Sequence, residues 1–446
     1  MKFNNIAIIA LTGIALSACS DAWLEEYKLD QNRPSDVTME VLLPSAQVNY
    51  GITQGDVLPR LTSIFMQQMT GTDRQSLAHN TYSVIGEGDF NTPWNNSYAG
   101  GLYDLNIIIT KAEELGAPAY AGIAKITTAM YLGLLTDHFG DIPFEEAFQG
   151  ATDLTAKFDS QESIYAAIQT LLDDGKANLL EPSNLAPSGD DLIHGGDLIA
   201  WGSTADALKA RYLNHLSKTS LYDADAVIAA CDDALAGSSY AALGFDASLN
   251  QNPWWQFLNE RQGYITQFGT MYDMMEANVD PRIAFYRSAD STDMPFFAAA
   301  TAPLAIVTPF ETMFIKAEAL IRKGDPAAAR LVLEDAVESN MMWLGVDPSD
   351  IASYVAAMSA TTDLELIMTE KYYAMFTSSE VWTDWRRTGF PALTAPSGAI
   401  LSDIPRRLPY PENEYLYNSA NVPMPIDASP DEKFGVSGSY KLWWDM

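Results

Sequence analysis

The 446-residue sequence is short of cysteine, histidine and positive charge, and each shortage closes off a class of function. Two cysteines, Cys19 and Cys231, leave no disulfide framework to build. Four histidines, with no His-Glu-x-x-His, no Cys-x-x-Cys, no Gly-x-Ser-x-Gly and no phosphate loop, leave none of the compact catalytic signatures. Lys and Arg number 26 against 58 Asp and Glu, a formal net charge of -32, which repels phosphate backbones and excludes nucleic acid as a partner. After Leu16 no apolar run approaches the roughly 20 residues that a bilayer-spanning helix needs. The acids that remain form no convincing site. Glu145 and Glu146 are adjacent and would point apart on a helix. His194 and Asp197 flank Gly195-Gly196 in a polar turn, and Asp190-Asp191 lies outside any twelve-residue calcium loop. No enzymatic activity, no catalytic residue, no metal ligand and no cofactor is expected.

What is present begins with a targeting segment. Lys2, an apolar core from Ile6 to Leu16 and small residues before a cysteine make the layout of a secretory signal. Leu16-Ser17-Ala18-Cys19 looks like a bacterial lipoprotein signal, which would make Cys19 the lipidated first residue of the mature protein; the alternative is an ordinary signal with an incidental cysteine. Residues 1–18 are thus expected to be signal, 19–33 a flexible tether, and 34–446 a single folded body.

That body reads as mostly α. Helical spacing marks Pro44 to Thr70, Trp94 through Leu102 and Ile109, Ala119 to Asp137, Ile164 to Leu172, Thr204 to Lys218, Asp223 to Leu235 and Asp363 to Phe376. The sharpest signal is Glu311 to Asn340. Two apolar stripes, Met313-Phe314-Ala317-Leu320-Ile321 and Ala329-Val332-Leu333-Ala336-Val337, flank Gly324-Asp325-Pro326, which ends one helix and caps and starts the next. This hairpin has the size of a tetratricopeptide repeat, about 34 residues. The stretches 71–93, 181–196 and 241–309 read as loops, and the proline density from Pro391 to Pro430 argues against long helices there. Cys231, on an apolar face with Val227, Ala230, Ala234 and Leu235, reads as a small buried hydrophobe.

A series of motifs in a fixed order then resembles one family. Asp137-His138-Phe139-Gly140-Asp141-Ile142-Pro143-Phe144 with Glu146-Ala147 is followed by Asn252-Pro253-Trp254-Trp255 and Asp280-Pro281-Arg282. Phe314-Ile315-Lys316-Ala317-Glu318-Ala319 comes next, then Glu370-Lys371-Tyr372-Tyr373-Ala374 and Trp382-Thr383-Asp384-Trp385-Arg386-Arg387-Thr388-Gly389-Phe390-Pro391. Ile404-Pro405-Arg406-Arg407-Leu408-Pro409-Tyr410-Pro411, with Asn418 and Asn421, completes the series. The sequence resembles SusD/RagB-family outer-membrane lipoproteins. The resemblance implies tetratricopeptide-like hairpins overlaid by long loops, a lipid anchor in an outer membrane with the body facing outward, capture of a glycan, and a lid role over a SusC-type TonB-dependent transporter. A peptide- or protein-binding lipoprotein on the same scaffold is the alternative. The Trp382, Trp385, Arg386 and Arg387 cluster is expected to serve the fold.

Sugar rings stack their C–H faces on aromatic side chains and meet amides and charged forks with their hydroxyls. Trp254-Trp255, with Asn252, Arg261 and Tyr264 nearby, is the richest such cluster, one indole being free to lie in the core while the other faces out. Trp94 with Asn95 is the second candidate, and Trp201 the third.

Overall fold

The computed structural model describes residues 37–149, 155–237 and 240–446. Cys19, the signal and the tether lie outside the described residues. The longer helices, labelled in chain order, are α1 Met39–Gly55, α2 Val57–Phe65, α3 Tyr103–Leu115, α4 Pro118–Phe139, α5 Gln161–Leu179 and α6 Leu198–His215. They continue with α7 Ala224–Leu235, α8 Pro309–Lys323, α9 Pro326–Leu344, α10 Pro348–Ala357, α11 Leu364–Ala374 and α12 Glu380–Thr388. No described helix is long and apolar enough to cross a membrane.

From α3 to α9 each helix packs on the next one in the chain, the arrangement of a helical-repeat array in which every unit buries its apolar face against its neighbours. Central in that array, α4 is buried on nearly every side rather than along the single stripe of Ile123, Ile126, Met130 and Leu134. The α8–α9 hairpin forms as the spacing dictates. Gly324 closes α8 in a left-handed conformation at φ +88, and the Asp325 side chain accepts from Ala328 N to cap α9. Asp223 and Asp363 cap α7 and α11 in the same way. α6 begins at Leu198, earlier than its apolar spacing indicates, because Asp197 accepts from Ile199 N and Ala200 N and so starts the helix.

Two segments expected to be loops carry structure. Within 71–93 the chain forms a short helix, Arg74–Asn80, and a 3₁₀ turn, Glu87–Phe90. Within 241–309 lie further short helices, among them Pro253–Glu260, and three short strands: Ile265–Thr266 pairs antiparallel with Thr70–Gly71 outside the segment, and Leu304–Val307 pairs antiparallel with Ala241–Leu243 inside it. Elements this short have no readable period, so tertiary contacts decide them.

The shared sequence motifs sit at the joints between helices. Buried Arg282 donates to Asp280 and Glu370 at 2.6 and 2.7 Å. Arg387 reaches from α12 to Glu318 on α8 and also pairs with Asp384. The Arg386 guanidinium lies 3.7 Å from the centroid of the Trp382 ring and donates to the Asp137 carbonyl at 2.7 Å. These side chains are satisfied within the protein and serve the fold, as expected. Cys231 is buried among Ala210, Val227, Ile315 and Ala319, and burial pushes its thiol up to about 12.

Candidate functional site

A cleft of about 730 Å³ opens beside Trp94. Three stretches distant in sequence build it. The first is a helical run from Asn91 to α3, interrupted by a π-turn at Tyr98–Leu102. Trp94 and Tyr98 are four residues apart, one helical turn, and so face the same side. The π-turn then adds a residue: Tyr103 N donates to Tyr98 O, an i to i+5 bond, so Tyr103 rather than Leu102 comes round to the cleft while Leu102 is buried. Gly101 permits this placement, since a Cβ there would stand 2.3 Å from the Tyr131 ring, itself fixed by donating to Ala46 O at 2.7 Å.

The second stretch surrounds Pro143 and Phe148. Asp159 Oδ2 accepts from Phe144 N and Glu145 N at 2.8 and 2.9 Å, which shapes the turn, and Tyr98 OH donates to Pro143 O at 2.8 Å. The third is the short helix Glu412–Tyr417, where Asn413, Glu414, Tyr417 and Asn418 line the cleft from adjacent turns. Asn91 Oδ1 accepts from Asn413 N at 3.0 Å and so ties the third stretch to the first.

Trp94 lines the cleft but presents little free surface to it. It is 3% exposed, with Tyr98 at 4.9 Å, Phe139 at 5.2 Å and Phe158 at 6.2 Å between ring centroids. Its Nε1 donates to Glu414 Oε1 at 2.9 Å, and Asn418 Nδ2 donates to Glu414 Oε2 at 3.1 Å. Burial raises the Glu414 pKa, and those two hydrogen bonds oppose the rise without cancelling it. The free aromatic faces belong instead to Tyr417, 75% exposed, and Tyr103, 42% exposed. Asn95 lines the cleft and is exposed. Sequence reasoning missed both tyrosines and Glu414. The available signal was the spacing of Asn413, Glu414, Tyr417 and Asn418, which share one helical face, but it lay in a proline-rich stretch where no long helix was expected.

The tryptophan pair divides. Trp254 is buried beside a small pocket of about 40 Å³, and Asn252 is buried as the cap of Pro253–Glu260, accepting from Trp254 N and Trp255 N and donating to Ala302 O. Both side chains are thereby buried. Trp255 is half-buried and lines a second cleft of about 370 Å³ with Asn259, Gln262, Thr292 and Asp293. Arg261 lies over Phe257, 5.6 Å from the ring centroid, and Tyr264 meets Phe257 edge-on at 6.4 Å, so neither lines that cleft. Trp201 is wholly buried, its Nε1 donating to Asp191 Oδ2 at 2.7 Å.

The polar groups of the 190–197 turn are bonded within the protein. Asp190 accepts from Tyr120 OH, Asp191 from Gln47 and Gly196 N, and His194 bonds Thr204. Asp137, His215 and Glu380 bring their ligating atoms within 4.8 Å of one another, the geometry of a metal cluster. Burial alone would pull His215 down, yet the two carboxylates overcome it and hold the imidazole up at about 9. Arg211 lies beside Glu380 at 3.8 Å, and the four side chains form an ion-pair joint between α4, α6 and α12.

A family model described as "Starch-binding associating with outer membrane" matches residues 31–295 and 287–411. The chain belongs to the SusD-like family. Among solved structures, a SusD/RagB family protein from Bacteroides thetaiotaomicron superimposes on this SusD-like chain with a TM-score of 0.80 at 25% identity, covering 92% of this chain and 99% of the other. A SusD homologue from Bacteroides fragilis has a TM-score of 0.74 at 19% identity over 92% and 100% of the two chains. A chitin-binding SusD homologue from Flavobacterium johnsoniae has 0.72 at 19% identity over 92% and 97%. The last two likenesses are likenesses of fold. No curated protein matches the sequence. The SusD-like family is one of outer-membrane-associated binding proteins, and the mostly helical expectation agrees with these structures.

Proposed function

We propose that this protein is a lipid-anchored, cell-surface glycan-binding protein that captures oligosaccharide in the Trp94 cleft and serves as the lid of a SusC-type TonB-dependent transporter. The observation that carries the reading is the pairing of two exposed tyrosine rings, Tyr417 and Tyr103, with the side-chain amides of Asn95 and Asn413 in one cleft of about 730 Å³. Flat faces suit sugar C–H surfaces, and amides donate to and accept from hydroxyls in both directions. The Trp255 cleft is an auxiliary contact for a longer chain. Residues 1–18 act as signal, Cys19 carries the lipid, and 19–33 tether the body formed by 34–446.

The first probes are starch and chitin oligosaccharides, chosen from the family description and from the chitin-binding relative. A glycan array should show binding that Tyr103→Ala weakens. Retention of peptides and of no glycan would replace this reading with the peptide-binding one. Cys19→Ala should leave soluble binding intact and release the protein from membranes. Continued membrane partitioning of that variant without the barrel partner would refute the lipid anchor.

A further inference from the structure

Resting on the glycan reading of the Trp94 cleft, a second conclusion concerns charge. Among the described residues that line the cleft there is no Lys, Arg or His, and the one ionisable acid is Glu414. Recognition of a carboxylate or sulfate group normally uses a guanidinium or ammonium group, and a desolvated anion without such a partner binds poorly. Cations close to the cleft are engaged within the protein: Arg407, over the Tyr410 ring, donates to the carbonyls of Leu408, Tyr440 and Phe139. Lys157, next to Ala156 in the wall, pairs with Glu146 at 2.6 Å, and Lys433 pairs with Glu87 at 2.5 Å behind the Glu412–Tyr417 helix.

Glu414 is the one acid in the wall, its pKa raised by burial against two hydrogen bonds that favour its ionised form. Both of its oxygens accept hydrogen bonds from within the wall, Oε1 from Trp94 and Oε2 from Asn418, and each bond favours the ionised form. An incoming carboxylate would therefore find an acid and no cation in the cleft wall. The whole-chain charge of -32 repels it before contact. The amides and tyrosine faces suffer no such penalty with a neutral sugar.

We propose that the cleft is a charge filter: it takes glycans free of carboxylate and sulfate groups and rejects uronic-acid-bearing or sulfated chains of similar backbone.

The test uses the soluble folded protein on a glycan array with matched pairs: amylose and carboxymethyl-amylose, chitin oligomers and carboxymethyl-chitin, methyl-esterified homogalacturonan and polygalacturonate. Affinity electrophoresis at low salt and at high salt follows for each pair that binds. Within any such pair the neutral member should bind at least tenfold tighter, and the gap should narrow in high salt as screening weakens repulsion. Asn95→Lys, which places an ammonium on an exposed cleft position, should narrow it at low salt as well. Equal or tighter binding of the anionic members overturns the filter and leaves glycan capture standing. Binding to no glycan on the array overturns the capture reading itself, and the filter with it.

Discussion

Tyr417→Ala tests where the ligand surface lies. The Tyr417 side chain is 75% exposed, so truncation opens no cavity, and the cost in folding stability should stay within about 0.5 kcal/mol. If the ring stacks on sugar, its loss should cost about 1.5 kcal/mol of binding, roughly tenfold in Kd. Trp94→Ala is the necessary contrast. That indole is 3% exposed, enclosed by Tyr98, Phe139 and Phe158, and its Nε1 holds Glu414. Removing it should cost about 3–5 kcal/mol of stability, the usual range for a buried aromatic truncated to alanine. Isothermal titration with the tightest glycan from the array gives the first number, and denaturant unfolding of both variants gives the second. The reasoning fails if Tyr417→Ala binds like wild type while Trp94→Ala keeps full stability and loses binding, because the indole would then be the stacking surface.

The His215 joint should make stability fall in alkali. Its pKa is held up at about 9 by Asp137 and Glu380, above an ordinary value of 6.5, so its contribution is complete below about pH 6.5 and disappears as pH rises through 9. The loss should reach about 3 kcal/mol, and His215→Gln should flatten that limb of a stability-against-pH curve; an unchanged limb in the variant rules the joint out as its source. Cys231, buried with its thiol pushed up to about 12, should resist an aromatic disulfide reagent in the native protein and react on unfolding. Rapid labelling of the native protein at neutral pH would contradict that burial.

Fold class was legible because helix periodicity and caps are local. Asp223, Gly324, Asp325 and Asp363 act within a few residues of their own positions, and each does what its spacing implies. Asp197 was legible in principle, as an N-cap followed by a helix, but its place beside Gly195-Gly196 made it look like part of a turn. The short helix Arg74–Asn80 and the strand pair Thr70–Gly71 with Ile265–Thr266 were not legible, because a two-residue strand owes its existence to a partner far along the chain.

The binding surface divides in the same way. The sequence alone determined that the body is helical, acidic and without a catalytic signature, and it pointed to the Trp94-Asn95 and Trp254-Trp255 regions as places of interest. Only the tertiary structure decided which rings are free. Trp94 and Trp254 are buried by elements remote in sequence, and Tyr417 is brought to Tyr103 across more than half the chain. Burial is a property of what packs against a residue, and aromatic residues suit a core as well as they suit a sugar, so composition cannot separate the two uses.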